Sequence, residues 1–352
     1  MGMSTKINFD VGVIAELDVT QFKNILVIAG TQKALEAFEK KVKPHIKKPF
    51  RIFENVPVNL TDYVVYNAYN YANDEKVDCI ISVGGEAALD CGKIVAMLLS
   101  QGGYLHDYLP GGKIGPHGIM PGRVHHITVP AMPAAGYEIS NTACFVINGE
   151  KKTISSPHII PDVTYIDPHV MDEMPLDLWA SRGVDCFVTA LMAYVSKNAN
   201  AMSDAYAEKA IESYLKAWQK LSKKPGDHEL IKHAAVASMN AFLASNFAGR
   251  GAVHAVADVL AGRFGFRYGI ALALVAPEVC KFVQDANPKK FKSVGDISKI
   301  IKNAGVGAVS LKGKLNEEEI EKIASMCLAN EAIHNPKRME LVDVKEILRR
   351  LP

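Results

Sequence analysis

Short apolar runs alternate with amphipathic stretches over the first 160 residues of the chain. The apolar runs are rich in Ile and Val and are bounded by Gly, Pro or polar residues, which is typical of buried strands. They lie at Asn24–Ala29, Arg51–Phe53, Val77–Val83, His125–Pro130 and Thr142–Ile147. Segments of helical length lie between them, at Gln32–Lys47, Thr61–Glu75 and Asp90–Leu99. Strands that alternate with helices predict βαβ units and a largely parallel sheet.

The pattern changes after residue 160, where Pro161, Pro168 and Pro175 interrupt the chain and the strand signal nearly disappears. Stretches rich in Ala, Leu and Lys then predict helices. These helices are expected at Asp172–Ser196, Ser203–Leu221, Glu229–Phe247, Ala252–Ala261, Ile270–Val283 and Glu317–Leu328. We therefore predict two domains, an α/β domain over residues 1–160 and an all-helical domain over residues 161–352.

Composition and charge narrow the class of protein. The chain has 352 residues, of which 49% are hydrophobic and 22% charged, so it is expected to be globular with a sizeable core. Its formal net charge is only +2, which argues against nucleic acid as a partner. Apolar runs are all shorter than the roughly 18–20 residues that span a bilayer, so no membrane partner is expected.

Cysteine usage and the N-terminal sequence favour a cytoplasmic protein. The six cysteines are scattered without a CxxC pair, which is typical of reduced thiols in a chain of this size. Asp10 and Glu16 lie inside what would have to be the apolar part of a signal peptide. Secretion is therefore not expected.

Four segments together resemble the iron-containing (group III) alcohol dehydrogenase family. VGGEAALDCGK at residues 83–93 is similar to the family's glycine-rich turn, and ITVPAMPAAGYEIS at residues 127–140 to the loop after the next strand. Residues 151–185 share the family's spacing of Pro, Asp and Gly, and residues 237–282 resemble its metal-binding helix pair. The resemblance implies a Rossmann-like parallel-sheet domain that binds a dinucleotide and a helical domain that carries a metal, as in the dehydroquinate synthase-like fold.

The resemblance implies an incomplete metal site. Family members typically hold a divalent metal, iron or zinc, with one Asp and three His, and Asp185 and His254 match two of these ligands. Thr189 and Tyr268 stand where two further His ligands belong. A hard divalent ion needs several anionic or imidazole ligands, so this set is expected to bind a metal weakly. Asp258 follows His254 by one helical turn and stands where the family has a His that serves in proton relay.

The resemblance also implies a nicotinamide cofactor on the glycine turn, where Gly84, Gly85 and Asp90 keep the family pattern. Backbone N–H groups at the start of the following helix would bind the pyrophosphate. Family members that prefer NAD carry an Asp after the first strand, where this chain has Gly30, with Lys33 nearby. The loss of a carboxylate and the gain of a cation favour NADP(H) over NAD(H).

Other positions of the cofactor motifs are altered. Glu86 and Ala87 replace Gly and Ser, so a carboxylate that repels a pyrophosphate is gained and a hydroxyl donor is lost. In the second loop, Met132 and its alanine neighbours replace the family's Thr residues. Lys93, in the glycine motif, is interpreted as a surface residue of the helix.

These residues predict an oxidoreductase that interconverts an alcohol and an aldehyde or ketone with NAD(P)H. The catalytic candidates are Asp258, Tyr268 and Arg267. Tyr268 would polarise a carbonyl or deliver a proton, and Arg267 would clamp an anionic group of a small-molecule substrate, in a reaction that needs no metal. Arg182, Arg250 and Arg263 are further basic residues near the candidate ligands.

The same residues leave alternatives open. His254 and Asp258 would also suit a buried hydrogen-bonded pair, and the arginines would suit solvated helix ends. Loss of both metal ligands and phosphate donors is expected of a dehydrogenase-fold protein that acts only as a binding or regulatory partner. A non-redox lyase or cyclase on the same fold is a third alternative. Since many members of the family are dimers or larger, a homodimer is expected.

Overall fold

The computed structural model describes residues 5–122, 124–148, 150–221, 223–307, 309–328 and 335–352. The chain divides into two compact units, Met1–Met174 and Pro175–Pro352. Within the described ranges, every helix is too short or too polar to cross a membrane.

The first unit contains eight strands among its described residues. They are β1 (Lys6–Phe9), β2 (Ile25–Ala29), β3 (Phe50–Phe53), β4 (Cys79–Gly84), β5 (His125–Pro130), β6 (Thr142–Ile147), β7 (Glu150–Ser155) and β8 (Val163–Ile166). Six of them form one sheet in the order β1-β8-β5-β4-β2-β3. Neighbouring strands of this sheet run parallel, which confirms the prediction of a parallel-sheet α/β unit.

The core of the first unit lies between its helices and the two faces of its sheet. The helices are α1 (Gln32–Ala37), α2 (Asp62–Asp74), α3 (Glu86–Gln101) and α4 (Pro168–Met171). Ile25 of β2 packs on one face of the sheet with Phe38, while Leu26 packs on the other face with Val95 of α3. A central parallel strand is buried on both faces in this way, which explains its continuous apolar sequence.

The first helix is shorter than predicted. The sequence pattern predicts a helix to Lys47, but α1 gives way to a wider turn at Phe38–Val42 and a tight turn at Lys43–His45. Pro44 has no N–H to donate and its ring clashes with a carbonyl of the preceding turn, so the helix ends there.

Two strands differ from the sequence pattern. β6 pairs antiparallel with β7 in a separate hairpin, and is not part of the parallel sheet. Only residues 148 and 149 separate the two strands, an Asn-Gly pair in the sequence, which is a strong hairpin signal and too short for a crossover. β8 lies after Pro161, where the loss of strands was expected, and it pairs with β1 and β5. The expectation of few strands after Pro161 is wrong at β8.

The connections of the sheet diverge between β2 and β4. The chain leaves β2 through α1 toward β3 on one side, and leaves β4 through α3 toward β5 on the other. In open parallel sheets, ligands bind at the carboxyl ends of the strands where the strand order reverses. Gly30 follows β2 and Gly84 ends β4, so both lie at this edge.

The second unit is helical throughout its described residues. Its helices are α5 (Leu176–Val195), α6 (Ala201–Leu221), α7 (His228–Ala248), α8 (Ala252–Phe264), α9 (Tyr268–Val283), α10 (Pro288–Val294), α11 (Ile297–Asn303), α12 (Glu317–Leu328) and α13 (Leu341–Arg350). α5 is buried along nearly its whole length, and it begins after Pro175 and not at Asp172 as predicted. The prediction of an all-helical second part is confirmed.

Candidate active site

Two glycines bring the ends of β2 and β4 into close contact. A Cβ on Gly84 would lie 3.0 Å from the Cβ of Ala88 and 3.4 Å from the Cα of Gly30. Gly84 also has a φ of +148°, which side chains disfavour. The N–H of Gly30 donates to the carbonyl of Val83 at 2.9 Å. Both residues are glycine because the two backbones approach each other here, at the edge where the topology places a ligand.

The backbone at the start of α3 has the arrangement of an anion-binding helix N-terminus. Gly85 is the N-cap residue, and no side chain caps the helix. The N–H groups of Ala88 and Leu89 donate to the carbonyl of Gly85 at 3.1 and 3.2 Å. The N-terminus of a helix carries a partial positive charge that favours a bound anion. The carboxylate of Glu86 lies in this first turn and its Oε1 is 3.5 Å from Nζ of Lys151.

Asp90 and Lys93 form a fully buried ion pair behind the glycine turn. Nζ of Lys93 donates to Oδ1 of Asp90 at 3.0 Å, to Oγ of Ser140 at 2.7 Å and to the carbonyl of Thr142 at 2.8 Å. The second oxygen of Asp90 accepts the N–H of Cys144 at 2.8 Å. Burial raises the pKa of Asp90 to about 6, so the carboxyl is ionised at neutral pH.

This pair changes how two residues of the glycine motif are interpreted. The interpretation of Lys93 as a surface residue is wrong, because its side chain is 0% exposed. A buried ammonium is costly unless its donors are satisfied, and here three acceptors satisfy them. The sequence pattern assigned Asp90 to the cofactor, and the structure places it in the core, where it ties α3 to β6.

A second buried pair explains why residue 92 is glycine. Oγ of Ser82 and Nε2 of His126 lie 2.9 Å apart in the core. A Cβ on Gly92 would lie 1.9 Å from Oγ of Ser82 and 2.6 Å from Nε2 of His126. The pair therefore fills the space that a side chain at position 92 would need. Burial lowers the pKa of His126 to about 3, so its ring is neutral.

Lys33, the predicted contact for a ribose phosphate, lies in the first turns of α1. Its Nζ is 2.9 Å from Oε2 of Glu36, and the Lys33 side chain is 56% exposed. An exposed pair of this kind is worth little, so the ammonium can exchange Glu36 for a phosphate at small cost.

In the second unit, α5 and α8 bring three of the predicted metal-site residues together. Oγ1 of Thr189 lies 2.9 Å from Nε2 of His254 and 3.4 Å from Oδ1 of Asp185. Asp185, Thr189 and His254 are 7%, 4% and 0% exposed. Asp185 and Thr189 share a face of α5 because they are four residues apart. The three side chains form a buried hydrogen-bonded chain.

The imidazole of His254 is uncharged. Burial, and secondarily the charge of Arg250, lowers the pKa of His254 well below its usual range. The hydroxyl of Thr189 lies between the carboxylate of Asp185 and Nε2 of His254, within hydrogen-bond distance of both. Nδ1 of His254 has no hydrogen-bond partner within the described residues.

The residues at this site do not fit the divalent metal of the family. Asp185 and His254 supply one carboxylate and one imidazole, and Nε2 of that imidazole is already hydrogen-bonded with Thr189. Within the described part of the chain, no third His, Cys, Asp or Glu has a ligand atom within 4.8 Å of those of Asp185 and His254. One carboxylate, one imidazole and a hydroxyl are a poor ligand set for iron or zinc.

Tyr268, the first residue of α9, lies beside the hydrogen-bonded side chains of Asp185, Thr189 and His254. Its ring centroid is 6.3 Å from that of His254, and its hydroxyl oxygen is buried. Burial raises the pKa of Tyr268 well above its usual range, and the carboxylate of Asp258 raises it further. The charge of Arg250 acts in the opposite direction. The phenol is therefore protonated, and Asp258 is exposed to solvent near it.

The candidate arginines have different environments. Arg267, the predicted anion clamp, is exposed and pairs with Asp177. Arg263 pairs with Glu319 at 2.6 Å, and Nη1 of Arg182 is 3.7 Å from Oδ2 of Asp185. Each of these three arginines thus lies beside a carboxylate.

Arg250 differs from the other three because its charge acts on both His254 and Tyr268. A protonated phenol, a neutral imidazole and a nearby cation are suited to donating a proton to a carbonyl oxygen and stabilising the negative charge that develops there. The sequence pattern named Arg250 only among neighbouring basic residues, since no spacing rule distinguishes it.

Two family models match the chain. The one described as "Iron-containing alcohol dehydrogenase" matches residues 4–168, and the one described as "Fe-containing alcohol dehydrogenase family, C-terminal" matches residues 179–310. Alcohol dehydrogenase 4 of Schizosaccharomyces pombe is 28% identical over 302 residues, which cover 82% of this chain and 69% of that protein. The 1,3-propanediol dehydrogenase of Klebsiella pneumoniae is 30% identical over 258 residues, which cover 70% of this chain and 63% of that protein, less than two thirds of its length.

A solved structure shows the same fold over almost the whole chain. Sulfoacetaldehyde reductase from Bifidobacterium kashiwanohense, in complex with NAD+, superposes with a TM-score of 0.88 at 19% identity, and the match covers 99% of this chain and 97% of that one. The family is NAD(P)-dependent and usually binds iron. Because the two family models together match well over half of the sequence, this chain belongs to the iron-containing alcohol dehydrogenase family of oxidoreductases.

Proposed function

We propose that this protein interconverts an aldehyde or ketone and the corresponding alcohol, that it prefers NADP(H) to NAD(H), and that its catalytic site uses no divalent metal. The observation that carries this proposal is the protonated phenol of Tyr268 beside the Asp185–Thr189–His254 chain, at positions where the family has metal ligands. The substrate is a small molecule.

The first unit supplies the cofactor-binding residues. Gly85 and the start of α3 receive the pyrophosphate, because the helix dipole favours an anion there and Gly85 has no side chain of its own. Lys33 receives the 2′-phosphate of NADP(H), since its exposed ammonium is held by a single exposed pair with Glu36 among the described residues. The bound nicotinamide supplies the hydride.

Tyr268 is the general acid in the reducing direction. Its phenol donates a hydrogen bond to the carbonyl oxygen and transfers its proton as that oxygen becomes an alkoxide. Arg250 stabilises the phenolate that remains, in agreement with its lowering effect on the pKa of Tyr268. Asp258, which is exposed and close enough to raise the pKa of the phenol, returns a proton from solvent to the phenolate.

The buried chain of Asp185, Thr189 and His254 acts as a positioning device. The hydroxyl of Thr189 is hydrogen-bonded with Asp185 on one side and with His254 on the other, and this holds the imidazole beside the phenol. Arg250 is the preferred contact for an anionic group of the substrate, such as a carboxylate or a sulfonate, because planar guanidinium groups bind such anions with two hydrogen bonds. The sulfonated aldehyde named for the structural neighbour is a substrate of this kind.

A titration of the purified protein with NADPH and with NADH, followed by nicotinamide fluorescence, tests the proposal. We expect both to bind, NADPH more tightly, and we expect Lys33→Ala to remove the preference while Lys47→Ala, on the same unit, leaves it unchanged. The competing role of a binding partner without redox chemistry predicts no binding of either nucleotide at millimolar concentration, and that result would rule out our proposal.

We also propose, from the sequence and the family resemblance, that the protein is cytoplasmic and forms a homodimer. Light scattering during gel filtration measures the mass of the particle. A homodimer predicts twice the 38.3 kDa of the chain.

A further inference from the structure

A side chain of the protein fills the space over the glycine turn. A Cβ built on Gly85 would lie 2.9 Å from Sδ, 3.5 Å from Cε and 3.6 Å from Cγ of Met132. The end of the Met132 side chain therefore rests on the Cα of Gly85. In dinucleotide-binding turns, the glycine at such a position leaves room for the pyrophosphate to approach the backbone. Here Met132 takes that room.

The backbone beside Met132 is fixed to the rest of the first unit. The N–H of Ala131 donates to the carbonyl of Gly84 at 2.9 Å. Farther along the loop, Oγ1 of Thr128 donates to the carbonyl of Glu138 at 2.9 Å, and Ser140 accepts from the buried Lys93. The loop that carries Met132 is thus held at both of its ends.

The side chain of Met132, in contrast, is more exposed than the loop around it. It is half-buried, whereas the residues that follow it in the loop are buried. Methionine is unbranched and has three rotatable bonds, so it adapts to different surroundings at small cost. The thioether can leave Gly85 while the loop stays in place.

We propose that Met132 is a movable cover on the glycine turn, which competes with the pyrophosphate of the nicotinamide nucleotide for the surface of Gly85 and so weakens cofactor binding. The inference rests on the proposed function, because it concerns how tightly the same cofactor is held. Met132 affects how tightly the cofactor binds and takes no part in proton or hydride transfer.

The contact itself is tested without any cofactor, by thermal unfolding of a double-mutant cycle. Gly85 has a φ of −94°, so alanine adopts its backbone without strain. In the wild-type background, Gly85→Ala places a methyl group against the Met132 sulfur and displaces the thioether from its contact, so Tm should fall slightly. In the Met132→Ala background the three atoms nearest to that methyl group are gone, so the loss should be smaller. An equal decrease in Tm in both backgrounds would contradict the proposal that Met132 covers Gly85.

Fluorescence titration with NADPH tests the consequence. Met132→Ala should lower the Kd for NADPH about fivefold to tenfold, because an apolar contact no longer has to be broken. Met132→Leu, which keeps the volume, should change it less than about twofold, and so should Met120→Ala, at a methionine of the same unit that is 62% exposed.

The two failures are distinguishable. If the wild type binds NADPH and Met132→Ala binds it equally or more weakly, the cover is wrong and the proposed function stands. If neither protein binds NADPH or NADH at millimolar concentration, the proposed function fails and the cover fails with it.

Discussion

The glycine turn of the first unit and the Asp185–His254 site of the second unit have departed from the family pattern in different ways. The turn keeps its backbone, because Gly30 and Gly84 pack against each other, and it changes only side chains around it. The helical site keeps Asp185 and His254, but Thr189 stands in place of a metal ligand and forms a hydrogen bond with His254. A site built from backbone groups tolerates side-chain replacement, whereas a site built from side chains does not.

The difference has a consequence for function. Binding at the turn is weakened by Met132 and Glu86 but its donors are peptide groups that every sequence provides. At the second site, metal binding depends on imidazole and carboxylate groups, and two of the four have been replaced. We therefore expect the first function, nucleotide binding, to survive in reduced form, and the second, metal binding, to be lost.

Restoring the two histidines should have the largest effect. Thr189→His together with Tyr268→His returns two imidazoles to Asp185 and His254, and removes the hydroxyl that binds Nε2. Isothermal titration with Zn²⁺ on chelator-treated protein should show affinity for one ion rising about 10⁴-fold over the wild type. The control, Thr189→Asn with Tyr268→Phe, changes the same positions without imidazoles. Tight binding of one Zn²⁺ by the wild type would contradict the account of this site.

Removing the phenol should have the next largest effect. Tyr268→Phe deletes the proton donor and keeps the ring, so kcat for carbonyl reduction should fall about 100-fold to 1,000-fold while the Kd for NADPH changes less than twofold. Steady-state kinetics and the fluorescence titration measure the two quantities. Tyr63→Phe, at a tyrosine that is 71% exposed, should change neither. A kcat within twofold of the wild type would remove Tyr268 from the catalytic machinery.

A smaller effect concerns the pH dependence of stability in the first unit. Burial raises the pKa of Glu138 from an ordinary 4.5 to about 7, so the folded state holds a proton that the unfolded state has released. The stability from this group is present below pH 4.5 and is lost as the pH rises toward 7. Urea unfolding at pH 4.5 and pH 8 should show that Glu138→Gln gains about 2–3 kcal/mol over the wild type at the higher pH only.

The exposed Glu54→Gln serves as the control for Glu138. It should leave the difference between the two pH values as it is in the wild type. If Glu138→Gln also follows the wild-type profile, then Glu138 keeps an ordinary pKa and does not make the stability of the loop depend on pH.

The smallest effect belongs to Glu86. Glu86→Gln removes a carboxylate from the first turn of α3 and leaves Lys151 to a bound phosphate, so the Kd for NADPH should fall about threefold at low salt. The gain should shrink in 0.5 M salt because partly exposed charges are screened. Glu54→Gln again provides the control. Weaker binding by Glu86→Gln would mean that the carboxylate supports the turn.

The sequence predicts the fold better than the site. Hydrophobic periodicity is a local property, so the central strands and the long helices are recognisable from residue order alone. β1 escapes recognition because two of its four residues are polar, and β8 because its four residues lie among the prolines where the sequence pattern changes. β6 is recognised as a strand but its partner is not, although the Asn-Gly pair after it is a local hairpin signal.

Site residues depend on contacts between distant segments. The spacing of Asp185 and Thr189 predicts that they share a helix face, but the hydrogen bond between Thr189 and His254 joins residues 65 positions apart. Lys93 is predicted at the surface because the acceptors that allow its burial lie mostly in another segment. Arg267 directly precedes Tyr268 in the sequence, and its guanidinium nevertheless pairs with Asp177.

Turnover by metal-stripped protein shows whether the catalytic site works without a divalent metal. NADPH oxidation would be followed with small acidic aldehydes after chelator treatment, with iron, zinc and manganese measured by elemental analysis. We expect turnover with far less than one metal per chain, and no increase when Fe²⁺ or Zn²⁺ is added back. An inactive stripped protein that regains activity with one equivalent of either ion would show that the site depends on a metal.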